Sequence, residues 1–325
     1  MTALPGPGLP GPGLPGPGAH GGDGSRIARA LGIEPGAVLD LSASMNPFAP
    51  DLNAVVGGHL DALGRYPDPV AATASLAAAL DVDVDRVLLT NGGAEAIALV
   101  GSSLRRGWID EPDFSLYARH LEVIDPAAPR WRSDPHNPTG RLAGVDARAD
   151  VWDEAFFPLA TGRWTSGRAE TGAIVVGSLT KLFACPGLRI GFVLVPPGSS
   201  GADLRRQMGH AQPRWAVNGL VCAALPDLIA TADLGRWTEG IGALRADLVE
   251  DLARRGMLTE PSDANYVLVR GASGLRDKLA TRAVAVRDCA SFGLPDHVRI
   301  AVPDDDGRQR LMDAIDDVMG EGRLR

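Results

Sequence analysis

The chain has 325 residues, of which 45% are hydrophobic and 22% charged, and a formal net charge of −8. That is globular composition, long enough for about two domains of ~150 residues, with a core large enough to need no disulfide or metal staple. No run approaches the ~18 consecutive apolar residues of a membrane span, and an acidic surface has no general attraction for nucleic acid or acidic membranes. Three cysteines, Cys185, Cys222 and Cys289, form no CxxC pair and suggest neither a disulfide framework nor a zinc site. The N-terminus lacks a basic and then apolar leader pattern, so the expected location is the cytoplasm.

Residues 1–19 carry LPGPG three times between Leu4 and Gly18 and are expected to be a disordered Pro/Gly tail. An N-terminal arm follows over 20–45. The Ala-rich stretch 70–80 predicts a helix. Residues 86–90 (RVLLT) predict a buried strand that runs through Asn91-Gly92-Gly93 into a helix over 94–104. Buried strands are expected at 173–177 and 190–195. Pro196-Pro197-Gly198 then interrupts the pattern, and a domain boundary is expected there. Helices follow at 214–230, 244–255 and 308–319, with strands at 265–269 and 297–302. In the last helix Leu311, Met312, Ile315, Val318 and Met319 recur at helical spacing and mark a core face. The order predicts a larger α/β domain over 46–198 and a smaller α+β domain over 199–325.

Of 32 basic residues only Lys181 and Lys278 are lysines, so chemistry that needs a primary amine has almost no choice of residue. Lys181 lies in GSLTKLFACPGLRIGF (177–192), just past a buried strand. Desolvation there disfavours the ammonium and frees the amine as a nucleophile, which suits a Schiff base with an aldehyde cofactor. Ser178, Thr180 and Arg189 supply hydrogen bonds and charge for a phosphate. A lysine and an arginine that merely flank a strand would look the same. Asp153, in VWDEAFF, ends another short apolar run; it could keep a heterocyclic nitrogen protonated, or simply begin a turn or cap a helix. Asn137, in DPHNPTG, is held on a loop stiffened by Pro135 and Pro138, as in a plain surface turn. TNGGAEAI (90–97) turns from strand to helix N-terminus, a place that accepts phosphate through backbone amides.

Taken together and in this order, the four segments resemble the fold-type I pyridoxal-phosphate enzymes of the aspartate-aminotransferase superfamily. The resemblance runs from about His20 to about Ile315. HGGD (20–23), DLSASMNPFAP (40–50), RYPDP (65–69), PRWAVNGL (213–220) and RDCASF (287–292) bring it nearest to L-threonine-O-3-phosphate decarboxylases, and next to histidinol-phosphate aminotransferases. It implies a mostly parallel central sheet flanked by helices, plus a small α+β C-terminal domain. Lys181 would bind the aldehyde of pyridoxal 5'-phosphate, Asp153 its pyridine nitrogen and Asn137 its phenolic oxygen. Gly93, Ala94, Ser178 and Arg189 would hold its phosphate, and Phe114 would stack on its ring. Tyr66 would reach the cofactor phosphate of a neighbouring subunit, which implies a homodimer. Arg299 would grip the α-carboxylate of a small phosphorylated amino-acid substrate, with Arg287, His20 and Asn46 around it. The plainer alternatives are core packing for Phe114, turn packing for Tyr66, solvent exposure for His20 and surface ion pairs for Arg287 and Arg299.

Three features depart from the family pattern. The cofactor domain is short, with 141–150 too brief for a helix, so at least one helix and a strand are expected to be trimmed. Phe156 stands where the aminotransferases usually carry a tyrosine. Pro303 closes the strand after Arg299 without the further arginine of many decarboxylases. The functional expectations are a threonine-phosphate decarboxylase of cobalamin biosynthesis, an aminotransferase of the histidinol-phosphate type, or a trimmed non-catalytic relative that binds the cofactor.

Overall fold

The computed structural model describes residues 14–16, 18 and 20–321. Most of the expected disordered tail lies outside them. The four described tail residues correct that expectation locally. Leu14 packs against the cluster of Ile27 and Ala28. Arg276 donates to the Pro15 carbonyl at 2.6 Å and Arg287 to the Gly18 carbonyl at 2.7 Å. The small domain thus supplies donors to the carbonyls of a tract too poor in apolar side chains to form a core of its own.

The arm forms helix α1 (Gly24–Leu31) and strand β1 (Leu39–Asp40). Next come α2 (Leu52–Gly57), α3 (Val70–Leu80), β2 (Val87–Asn91) and α4 (Gly92–Leu104). Helix α4 starts two residues earlier than expected. Gly92 makes the turn at φ +79°, and the Glu95 carboxylate accepts the Asn91 N–H at 2.6 Å, closing the first turn as in a capping box. Then follow β3 (Arg106–Ile109), α5 (Leu116–His120), β4 (Val123–Ile124), β5 (Arg130–Ser133), β6 (Val151–Asp153), α6 (Phe157–Thr161), β7 (Ile174–Ser178), α7 (Leu179–Leu182) and β8 (Ile190–Leu194).

These strands form one seven-stranded sheet in the order β2-β8-β7-β6-β5-β3-β4. Strand β8 runs antiparallel to both β2 and β7, and the other pairs are parallel. The sheet is therefore mixed, with five parallel strands at its centre and far edge. No helix lies between β5 and β6 among the described residues, as expected. Two strands of this sheet are short: β6 has three residues and β4 two.

Helices α8 (Ser199–Ala211), α9 (Gly219–Ala230) and α10 (Leu234–Arg254) follow. The expected boundary at 198 does not match the cores. Met208 of α8 packs with Val100, Trp131 and Val193 on one face of the sheet. Val221 and Leu225 of α9, and Trp237 and Ile241 of α10, pack with Leu76, Phe183 and Phe192 on the other. Pro196-Pro197-Gly198 is thus a strand-to-helix turn. The change of core comes within α10, whose Leu248 and Leu252 belong to the second one. There β9 (Leu258–Thr259), β10 (Tyr266–Arg270), α11 (Leu275–Ala280), β11 (Val284–Ala285), β12 (Arg287–Asp288), β13 (Val298–Ala301) and α12 (Asp305–Glu321) complete the chain. Strands order as β12-β13-β10-β9, all antiparallel, and β1 of the arm pairs with β11. Leu311, Met312, Ile315 and Val318 of α12 are buried as expected, while Met319 is exposed.

Candidate active site

In parallel sheets ligands bind beyond the carboxyl ends of the strands, where loops and helix N-termini converge. Here Ser133 ends β5, Asp153 ends β6, Ser178 ends β7 and Gly93 opens α4, and all four line one cavity of about 250 Å³. His20, Ala94, Phe114, Asn137, Thr180, Lys181, Arg189, Arg287 and Arg299 line it too. The structure thus gathers twelve of the fourteen predicted site residues into one place.

Lys181 lies on α7, immediately after β7. Its ammonium has no hydrogen bond or ion pair among the described residues. Burial, and then the nearby charges of Arg299 and Arg189, lower its pKa to about 8. Asp153 accepts the Tyr117 O–H at 2.9 Å and the Ala155 N–H at 2.9 Å. The second bond is the turn anticipated as a plain role; the first is not. Burial raises the Asp153 pKa to about 6, against the pull of both bonds.

Asn137 Oδ1 accepts from Arg299 Nη1 at 2.6 Å, which leaves the amide Nδ2 as the donor for an acceptor in the cavity. Phe114 meets the edge of His20 at 5.6 Å between centroids and that of Tyr117 at 5.8 Å. Helix α4 points its first amides at the cavity, and Arg189 lies across Gly92. A Cβ at Gly92 would stand 2.5 Å from Arg189 Nη2, so only glycine admits the guanidinium there. Arg189 itself holds the left-handed conformation at φ +62°, an unusual one for a non-glycine residue and a sign of a position fixed by its surroundings. Ser178 is at the same corner; Thr180 is buried and donates at 3.4 Å to the Ile190 carbonyl.

Arg287 and Arg299 are buried, not surface partners: they are directly opposite across the β12–β13 pair and so project from one face. Arg287 donates to Ser291 Oγ at 2.7 Å, and Arg299 lies over the Tyr266 ring at 4.5 Å. His20 is half-buried, with an Nδ1 that has no partner among the described residues; burial and then the Arg287 charge lower its pKa.

Two predicted residues fall elsewhere. Asn46 is buried beneath the cavity wall, where Nδ2 donates to the Leu182 carbonyl at 2.9 Å and its N–H to the Lys181 carbonyl at 3.0 Å. It clamps the backbone that carries the lysine. Tyr66 is 77% exposed and stacks on Trp215 at 4.5 Å, away from this cavity. Sequence reasoning missed Tyr117, Ser133 and Asp113. Tyr117 was legible as an aromatic three residues after Phe114, on the same side of a helical turn. The Asp113–Ser133 contact joins residues twenty apart and has no local signal.

Residues 133–315 match the family model described as aminotransferase class I and II. The chain belongs to that family. The threonine-phosphate decarboxylase of Salmonella typhimurium is 30% identical, over 93% of this chain and 96% of the relative. The histidinol-phosphate aminotransferase of Halobacterium salinarum is 29% identical, over 90% and 94%. Two solved structures share the fold. The histidinol-phosphate aminotransferase from Sinorhizobium meliloti, in complex with pyridoxal-5'-phosphate, has a TM-score of 0.77 at 17% identity, over 92% of this chain and 95% of that one. The L-threonine-O-3-phosphate decarboxylase from Porphyromonas gingivalis has 0.75 at 22%, over 87% and 100%.

Class I and II aminotransferases are pyridoxal-phosphate enzymes, and the cavity fits that cofactor. It offers an unpaired, desolvated amine at Lys181 and a buried carboxylate without a cation at Asp153. It also offers an aromatic face at Phe114, a free amide donor on Asn137, and a helix N-terminus with an arginine for the phosphate. No helix among the described residues is long and apolar enough to cross a membrane.

Proposed function

We propose that this enzyme decarboxylates L-threonine O-3-phosphate to carbon dioxide and an aminopropanol phosphate, a building block of the cobalamin side chain. The observation that carries the reading is the pair Arg287 and Arg299, buried side by side on one face of β12–β13 and lining the cavity that holds Lys181. Two guanidiniums suit a substrate with two anionic groups, a carboxylate and a phosphate, through forked hydrogen bonds. The name of the Salmonella relative supports the same reading.

When bound, pyridoxal phosphate supplies a sink for the electron pair left at the substrate Cα. Asp153 is placed to hold a ring proton, and Lys181 to return a proton to Cα once carbon dioxide has left. Arg299, held by Asn137, orients the carboxylate; Arg287 and His20 face the phosphate end. Tyr66 and its exposed neighbours are assigned to the interface of a homodimer, and the enzyme to the cytoplasm.

The second reading, an aminotransferase of the histidinol-phosphate type, is favoured by the Halobacterium relative. The two separate on the cofactor-loaded enzyme. Carbon dioxide released from L-threonine O-3-phosphate, without need of 2-oxoglutarate, is the expected result. Glutamate formed from histidinol phosphate and 2-oxoglutarate, with no carbon dioxide from the threonine phosphate, gives the second reading instead.

A further inference from the structure

Asp113 is 3% exposed, has no cation bonded to it, and is not used in the chemistry above. Its carboxylate accepts three bonds: Oδ1 takes the Ser133 O–H at 2.6 Å and the Phe114 N–H at 2.7 Å, and Oδ2 takes the Ser133 N–H at 3.0 Å. A serine hydroxyl has one proton and two lone pairs. With the proton committed to Asp113, Ser133 Oγ accepts the Asn137 N–H at 2.8 Å. Asn137 Oδ1 in turn accepts from Arg299 at 2.6 Å. Four residues from three separate segments thereby form one line, from a buried acid in the large domain to an arginine on β13 of the small one.

Among the described residues no carboxylate pairs with Arg299, and its Nε has no partner. Apart from its contacts with the Tyr266 and Phe156 rings, at 4.5 and 5.9 Å, the guanidinium takes its direction from Asn137. Asn137 in turn sits on a loop whose first turn is tied to Ser133. Without the carboxylate at 113 the Ser133 proton loses the acceptor that holds it away from Tyr117 and the loop. It is then free to rotate toward the loop and compete with the Asn137 N–H.

We propose that Asp113 is a positioning residue for the substrate carboxylate: it fixes the Ser133 hydroxyl, through that the Asn137 loop, and through Asn137 the guanidinium of Arg299. This rests on the reading of Arg299 as the carboxylate grip. Asp113 touches neither substrate nor cofactor in this scheme; it sets the aim of a group that does.

The test uses cofactor-loaded enzyme reduced with borohydride, which binds ligands without turnover. The probes are L-threonine O-3-phosphate and 1-aminopropan-2-ol O-phosphate, which differ only in the carboxylate. Their affinity ratio, measured by calorimetry, isolates the carboxylate grip. In the wild type the carboxylate-bearing ligand binds more tightly. Asp113→Ala is expected to cut the ratio about tenfold, the scale of one hydrogen bond to a charged group, while affinity for the aminopropanol phosphate stays within about twofold. Ser133→Ala should act in the same direction, and the double variant should be no worse than the worse single one, because both act through one line. Should Asp113→Ala fail to fold, Ser133→Ala alone decides. A ratio unchanged in a variant that retains cofactor overturns the proposal. A wild-type ratio near one overturns the carboxylate role of Arg299, and the proposal with it.

Discussion

Lys181 is the one site lysine of two in the chain, and its amine is buried without a described partner. In the unfolded chain such an amine titrates near 10.5; in the fold it titrates at about 8. Between those values the unfolded chain binds more protons, so stability rises with pH across that window. Below it the fold bears the full cost of a buried ammonium beside two arginines. Lys181→Met in cofactor-free protein is therefore expected to stabilise by about 1–3 kcal/mol at pH 7, and by less as pH approaches 10. Thermal denaturation at both pH values checks this, and a variant less stable at pH 7 would show that the amine has a favourable partner after all. The two acids run the other way: Asp113 and Asp153, both raised to about 6, favour the fold while protonated and cost stability as pH rises from 4 to 6. That Lys181, Asp153 and Asn137 are candidates for one site was legible in the sequence, because each sits where a strand end or a stiff turn fixes a polar group, and the three line one cavity. What holds them was not. Tyr117, Ser133 and Asn46 act through contacts across 36, 20 and 136 residues of chain, and no local pattern encodes those distances.

At the level of elements, the short flank between β5 and β7 needs an explanation for its stability. Its β5–β6 connection has no helix among the described residues, and α6 after β6 is only five residues long. Instead Asp134, 1% exposed, pairs with Arg168 at 2.5 Å, and that guanidinium lies 3.8 Å from the centre of the Trp152 ring. Next to it, buried Glu154 accepts Thr165 Oγ1 at 2.7 Å, the Ser166 N–H at 3.1 Å and the Ser166 hydroxyl. A polar clasp in the loop after α6 thus stands where a helix would be. Removing one partner of a buried pair strands the other charge, so Arg168→Ala should destabilise by about 3 kcal/mol. Arg168→Lys should recover part of this, since it keeps the charge but loses the flat stack. Urea denaturation of both variants measures the order; equal losses would mean that the charge alone recovers nothing and that the flat guanidinium carries the contact. The five strands given ranges from short apolar runs, now β2, β7, β8, β10 and β13, lie within one residue of their expected ends, whereas β3, β4 and β5 of the large sheet left no such run to read. Helices were less so. Helix α10 begins ten residues before its expected start, because Gly235, Gly240 and Gly242 disguise a face that Trp237 and Ile241 bury. Helix α9 begins five residues late, where Asn218 caps it by accepting the Val221 N–H at 2.9 Å.

For the whole molecule, the unexplained feature is an apolar surface. Leu60, Leu63, Tyr66 and Val70 lie close along the chain between α2 and α3 and are 55%, 69%, 77% and 70% exposed, and Trp215, stacked on Tyr66, is 55% exposed. Single exposed apolar residues are ordinary; this many together mark a face that another surface covers. The homodimer proposed above supplies one, and it would bring Tyr66 to the neighbour's cofactor. Leu63 is the sharpest probe, because it is exposed in the single chain and takes no part in either core. Leu63→Glu should leave the fold of one chain within about 0.5 kcal/mol, as exposed substitutions do. At the centre of an interface the same carboxylate would lose its water. A weakening of association by about a hundredfold, near 2.7 kcal/mol, is then expected. Sedimentation should show dimer for the wild type and monomer for the variant at the same low concentration. Cofactor retention should fall with the dimer, since in the proposed dimer Tyr66 would act only across the interface. A variant that remains dimeric would place the contact on another face, and would leave Tyr66 and Trp215 as a solvent-facing pair with no part in the cofactor site.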